Sequence, residues 1–288
     1  MSARVRLLSR AARSRATGML LVAMIAGAAV DAVAHGELHV VIERLTVEIA
    51  SNPGDIKLLM RRADMHRLHH AFEAADADYA RALALDPTHQ EARWMRARSR
   101  LEGGRPETAL AELDAFVLEH ADHASARLTR ARTLTALGRA SDAVAEYGEA
   151  LRRIPHPEPD LYFESFRAER SAGLEPAVRL ASVKAALARA GPVPTLEDVA
   201  LDIEIESGDF DAALARLDRR GAGAPRQEHW QFRRGQVLKL AKRNAEAREA
   251  FKQCLAAIEA LPPAMSRNSA IATLARETRG ELDALARQ

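Results

Sequence analysis

A single cysteine, Cys254, stands in 288 residues, so no internal disulfide is available to hold this chain together. Aromatic residues make up only 4%, and 15 Gly and 12 Pro are too few and too scattered for a collagen-like or low-complexity chain. With 48% apolar and 28% charged residues, the sequence has enough material for a core and is not of the disordered class. No phosphate-cradling glycine loop, nucleophile elbow or zinc-protease helix motif occurs. Charge of one sign is also missing. The net charge is +2, but residues 1–34 hold Arg4, Arg6, Arg10, Arg13 and Arg15 against Asp31 alone, which leaves the remainder slightly acidic. That balance gives no electrostatic case for nucleic acid. What remains is a chain rich in Ala, Leu, Arg and Glu, the composition of packed helices.

The first residues form an address. Residues 1–18 are basic and contain no acid, an apolar run of 12 residues follows from Met19 to Val30, and Ala32-Val33-Ala34 closes it with a small-x-small pattern. Basic region, short apolar region and cleavage site come in the order of a secretory signal peptide. Twelve helical residues span about 18 Å, short of a ~30 Å hydrocarbon core, which argues against a retained anchor. No cysteine lies near the cleavage point and no Arg-Arg pair precedes it, so neither a lipoprotein nor twin-arginine export is expected. The expectation is cleavage after Ala34 and a location in the periplasm or outside the cell.

Beyond that segment the sequence repeats. Ala75, Ala109, Ala143, Ala177, Ala213 and Ala247 are separated by 34, 34, 34, 36 and 34 residues. Twelve residues before each stands Ala63, Ala97, Ala131, Ser165, Leu201 or Gly235; four after each stands Tyr79, Leu113, Tyr147, Ala181, Leu217 or Phe251. Gly104, Gly138, Gly173 and Gly208 mark a break between the two small positions, and Pro87, Pro155, Pro225 and Pro262 fall near unit ends. Each unit therefore reads as two amphipathic helices. Small residues let the pair approach closely, the large residue fills the adjoining gap, and glycine supplies the positive φ that ends the first helix. A lone pair cannot bury its apolar face, so units must stack.

This pattern resembles the tetratricopeptide repeat family, whose 34-residue helix-turn-helix places small residues at positions eight, twenty and twenty-seven. The best unit is 124–155, with Ala131, Leu134, Gly138, Ala143, Tyr147, Ala150, Leu151 and Pro155 in phase. Unit one matches through Ala63, Phe72, Ala75, Tyr79, Ala82, Leu83 and Pro87, with His70 at the glycine place. Units four and five carry Lys184 and Arg220 at place twenty-seven, so their second helices are expected to shift or pack differently. The resemblance implies an all-α, right-handed superhelix (α-solenoid) of about six repeats over 55–264. Segments 35–54 and 265–288 read as capping helices and 1–34 as the signal peptide. Arg62, Arg96, Arg130 and Arg234 recur at place seven, where the expected role is a stem over the core with its charge in solvent.

The resemblance further implies a concave surface lined by the first helices that binds a protein or peptide. Carrying over the family's places gives Met60, Asp64 and Arg67, then Trp94 and Arg98, Leu128 and Arg132, Tyr162 and Phe166, Asp198 and Asp202, and Phe232 with Lys239. Trp94, Tyr162 and Phe166 are the expected anchors. The carboxylate-gripping version of this surface is not expected, since Asn52, Asn244 and Asn268 all fall elsewhere. Cys254, at place twenty-seven of unit six, reads as a buried structural thiol. The expected function is an exported, non-catalytic interaction scaffold with no cofactor. An alternative is copper or zinc handling through His35 and His39 near the new N-terminus or His66, His69 and His70 at helical spacing. His89, His123 and His156 recur at spacings of 34 and 33 and read as turn residues.

Overall fold

The computed structural model describes residues 38–266 and 268–287, and among them no strand occurs. The expected signal peptide and His35 lie outside the described residues. No described helix is long and apolar enough to cross a membrane. The chain divides into two compact units, one ending at Arg153 and the other beginning at Ile154. Unit 1 holds α1 (residues 38–51), α2 (Ile56–Leu68), α3 (Phe72–Leu85), α4 (Gln90–Glu102), α5 (Pro106–Glu119), α6 (Ala124–Ala136) and α7 (Ala140–Arg153). Unit 2 holds α8 (Pro159–Ser171), α9 (Pro176–Ala190), α10 (Pro194–Glu206), α11 (Phe210–Gly221), α12 (Glu228–Leu240), α13 (Asn244–Glu259), α14 (Pro263–Ser266) and α15 (Ser269–Ala286).

Local chemistry sets where these helices begin and end. In unit 1 the first helix of each pair is capped by a side chain. Asp55 Oδ1 accepts from the Lys57 and Leu58 N–H groups, and His89 and His123 accept through Nδ1 from the Ala92 and Ala126 N–H groups at 3.2 and 3.0 Å. The two recurring histidines are thus N-caps, a role open only to a ring whose Nδ1 is unprotonated. In unit 2, α8, α9 and α10 start instead with proline, whose missing N–H costs nothing at the first position. Every first helix ends on a left-handed residue: His70, Gly104, Gly138, Gly173, Gly208 and Lys242, with φ between 59° and 76°. The N–H that follows each one returns to the carbonyl five residues back, as Arg139 does to Leu134 at 2.9 Å. Two of the six lack glycine and carry the strain of an L side chain there.

Helices of 12 to 16 residues are marginal alone, so stacking must hold them. Within each unit the helices of the repeats pack on their neighbours in sequence, and α15 packs on α13. Ala63, Ala97 and Ala131 are buried beneath Tyr79, Leu113 and Tyr147, and burying each large side chain contributes about 1.5–3 kcal/mol. Gly235 shows why smallness matters: a Cβ there would lie 2.6 Å from the buried Phe251 ring. At the ends, Ile49 of α1 joins the Leu59–Ala63–Tyr79 cluster, and Ile271, Leu274 and Leu285 of α15 are buried against the last pair.

Two sequence expectations are corrected by packing. Ala177 is exposed, and α9 buries Arg179, Val183 and Ala186 instead of Ala177, Ala181 and Lys184. One extra residue on each side of Gly173 slides this helix by two, which puts Arg179 where every other repeat has alanine. Val183 then fills the large place and Ala186 the small one. The second correction concerns the arginines at place seven. Rather than resting their charge in solvent, they bond across to neighbouring helices: Arg62 Nη2 to Asp78 Oδ1 at 2.6 Å, Arg96 to Glu112, Arg130 Nη1 to Glu146 Oε1 at 2.7 Å, and Arg234 Nε to Asp218 Oδ1 at 3.1 Å. Each partner lies 16 residues away, one helix over, so the period of the fold aligns them.

Candidate functional site

Unit 1 presents its first-helix face as a closed polar network. The buried Tyr79 hydroxyl donates to Asp64 Oδ1 at 2.7 Å, and burial together with that bond pushes the phenol well above its ordinary range. Arg67 Nη1 and Arg98 Nε both donate to Glu102, each at 2.8 Å. Asp64, Arg67, Arg98 and Glu102 therefore sum to no net charge, and a ligand carboxylate would have to displace Glu102 from both cations. Trp94 is only half-exposed. Its Nε1 donates to Thr129 Oγ1 at 3.0 Å, its ring lies 5.3 Å from that of His123, and it packs into the clusters on both sides. It is a spacer between α4 and α6. Met60 is buried among the core of the first pair.

Unit 2 is more open on this face. A cleft of about 280 Å³ runs between α8 and α10, with Phe163, Phe166, Arg167 and Arg170 on one wall and Val199, Asp202, Ile203 and Glu206 on the other. Both walls follow the i, i+3, i+4, i+7 spacing of one helix face. Arg179 of α9 joins the lining, reaching Glu206 Oε2 with Nη2 at 2.6 Å. Asp202 also borders two wider clefts, of about 440 and 550 Å³, that continue along α12 past Phe232, Arg233, Gln236 and Lys239. There Arg233 Nη2 donates to Asp202 Oδ1 at 2.8 Å, Lys239 pairs with Glu281, and Phe232 leans on Phe251. Tyr162 is buried with its ring 6.4 Å from that of Phe166, and its hydroxyl has no hydrogen-bond partner.

No family model matches the sequence, and no curated protein matches it. Solved structures do resemble it in shape. The C-terminal part of a TPR repeat-containing protein from Cytophaga hutchinsonii superposes with a TM-score of 0.60 at 13% identity, covering 80% of this chain and 93% of that one. The chain has the tetratricopeptide-repeat fold. A structure of Naa15/Naa10 bound to HypK-THB gives a TM-score of 0.58 at 14% identity, over 81% of this chain and 36% of that one. A tetratricopeptide repeat protein from Parabacteroides merdae gives 0.49 at 17%, over 86% and 95%.

On this tetratricopeptide frame the expected groove residues separate. Phe166, Asp202 and Phe232 border open clefts, and Leu128 is half-buried and Arg132 exposed on α6. Trp94 and Tyr162, expected as free anchors, have core roles: Trp94 packs between the clusters of two pairs, and Tyr162 is the fourth residue of α8, one place before the cleft-lining Phe163. The α10 wall sits at places six, nine, ten and thirteen, but α8 starts at Pro159, one residue later than the repeat phase implies. Its wall residues Phe163, Phe166, Arg167 and Arg170 are therefore its residues five, eight, nine and twelve, and counting unit four one residue early passed over Phe163, Arg167 and Arg170. Arg220, awkward at a small place, stacks over the Trp230 ring at 5.1 Å and pairs with Asp198. The histidines do not assemble. His39 pairs with Glu43 at 3.2 Å, and His66, lowered by burial, lies 3.9 Å from Asp78 Oδ2. His70 turns into the left-handed break against Phe72. Among the described residues no three His, Cys, Asp or Glu side chains gather around a metal position. Cys254 is buried 3.4 Å from Thr278 Oγ1, and burial pushes its thiol up, away from nucleophilic use.

Proposed function

We propose that this protein is an exported, non-catalytic scaffold that holds a protein or peptide partner on the first-helix face of unit 2. The observation that carries this reading is the cleft between α8 and α10, with two aromatic rings and two exposed arginines on its α8 wall and wider clefts continuing along α12. Apolar surface beside polar groups that hold a direction is the composition of a recognition site. A first-helix face open to solvent is a poor setting for stabilising a transition state, which needs water-excluded, preorganised charge. The fold supports the same direction: the Naa15/Naa10 assembly, similar in shape, is bound to HypK-THB. Export rests on the basic segment, the apolar run of 12 residues and Ala32-Val33-Ala34.

Affinity capture from envelope extract with the wild-type chain, set against Phe166→Asp and Phe232→Asp, tests the reading. The expected result is a partner, identified by mass spectrometry, that is lost with either substitution while Leu128→Asp in unit 1 retains it. Equal recovery by all four chains removes the assignment. Mass spectrometry of the exported chain should find a start at His35, and a start at Met1 would remove the cleavage proposal.

A further inference from the structure

The α8–α10 cleft carries more chemical detail than an apolar groove. We propose that it takes an acidic side chain next to a bulky apolar residue of a peptide, the carboxylate meeting Arg167 and Arg170 and the apolar group resting on Phe163, Phe166 and Ile203. This proposal rests on the partner-binding reading and names the chemistry of that partner.

The charge accounting within the cleft is uneven. On the α10 wall both acids are already engaged, Asp202 by Arg233 at 2.8 Å and Glu206 by Arg179 at 2.6 Å. On the α8 wall Arg167 reaches only the Phe163 carbonyl of its own helix at 3.4 Å, and exposed Arg170 has no ion pair among the described residues. Two cations one helical turn apart thus face a lined cavity without an acid of their own. Independently, Arg179 is only 6% exposed, and its buried Nε has no hydrogen-bond partner. The two-residue slip that places an arginine where five other repeats have alanine brings Arg179 to the cleft lining, where it neutralises Glu206 and leaves Arg167 and Arg170 as the surplus charge. A volume of about 280 Å³ suits one large side chain rather than a whole folded surface. Planar guanidinium groups at its mouth select a carboxylate in a fixed direction.

The probe is a fluorescein-labelled, acetylated and C-terminally amidated peptide, Gly-Glu-Leu-Phe-Glu-Gly, titrated with the full chain by fluorescence polarisation. Replacing Glu by Gln in the peptide should weaken binding about tenfold, since losing a pair of charge-assisted contacts removes roughly that much. Replacing Leu-Phe by Ala-Ala should weaken it at least as much. Arg167→Glu with Arg170→Glu should reverse the preference toward the Lys-for-Glu peptide. Both arginines are exposed, and unchanged circular dichroism and Tm verify the fold. Equal binding of Glu and Gln peptides, no measurable binding of the Glu peptide, or an acidic preference that survives the double reversal overturns the proposal. An unamidated Gln peptide that binds as well as the Glu peptide also overturns it, by assigning the site to a chain terminus. If Phe166→Asp abolishes partner capture while Arg167→Glu/Arg170→Glu leaves it intact, the groove reading stands and this one falls. If neither changes capture, both fall.

Discussion

Unit 1 places the cation of each hairpin on the first helix and the anion on the second, as in Arg62–Asp78, Arg96–Glu112 and Arg130–Glu146. In the α10–α11 hairpin of unit 2 the order is reversed. Arg216 on the second helix bonds Glu204 on the first through Nε and Nη2 at 2.9 and 2.6 Å, and also reaches Glu197. Arg216 and Glu204 are both buried, whereas Arg96 and Glu112 keep about a fifth of their side chains in water. The difference teaches that one backbone frame tolerates either polarity, provided each charge finds its partner across the helix pair. It also separates the two faces: regular pairing closes unit 1 with Arg67–Glu102–Arg98, while unit 2 has a cleft whose α8 wall carries Arg167 and Arg170 with no ion pair among the described residues.

The most damaging test of that comparison is Arg216→Met against Arg96→Met. Removing one partner of a buried pair should cost about 3–5 kcal/mol, and removing one from a partly hydrated pair up to about 1 kcal/mol. Urea unfolding should therefore show a large loss for the first variant and a small one for the second; equal losses would erase the distinction between the hairpins. Next in size is Gly235→Ala. Its methyl would collide with the Phe251 ring, and overpacking should cost about 1–3 kcal/mol despite the better helix propensity of alanine. A gain in Tm would show that the last pair is loosely packed.

The left-handed breaks sharpen the comparison in the opposite direction. His70→Gly in unit 1 and Lys242→Gly in unit 2 should each stabilise by about 1 kcal/mol, and Gly138→Ala should destabilise by a similar amount. The smallest effect expected is a difference in acid response. Burial opposes but does not outweigh the bonds from Arg67 and Arg98, so the Glu102 carboxyl lies below its ordinary range; its contribution is present above the unfolded value and lost as pH falls through the folded one. Glu169 is displaced the other way, chiefly by burial, so its contribution is complete below the unfolded value and lost as pH rises through the folded one. Glu169→Gln should raise neutral-pH stability, and Glu102→Gln should lower it, in paired melting curves at pH 4 and pH 7.

The helical pairs were legible because smallness is periodic: Ala63, Ala97 and Ala131 announce where two backbones meet, and Gly104 and Gly138 where the first one stops. The slip in the fourth repeat was legible as a departure, through Lys184 at a small place, but not in its size, because Ala177 and Ala181 keep the expected phase in the sequence while two single-residue insertions move the buried face to Arg179 and Val183. Arginine at place seven was visible at its period, but its partner lies on a different helix, and only assembly brings Asp78 or Glu146 to it. The site was half legible. Phe166 and Asp202, expected at the groove, line the cleft, whereas Trp94 packs between two pairs and Tyr162 is buried because α8 starts one residue later than the repeat phase implies. Phe163, Arg167 and Arg170 carried a signal in their i, i+4, i+7 spacing, and they are the fifth, ninth and twelfth residues of α8 once the helix starts at Pro159.

Site-specific photocrosslinking tests the central claim most directly, with a benzophenone side chain at Phe166, at Phe232 or at Leu128 in the intact chain in its own cell envelope. Adducts with one partner from Phe166 and Phe232, and none from Leu128, are the predicted result. Adducts from Leu128 alone would contradict it, by moving the partner to the face of unit 1 that its own ion pairs close.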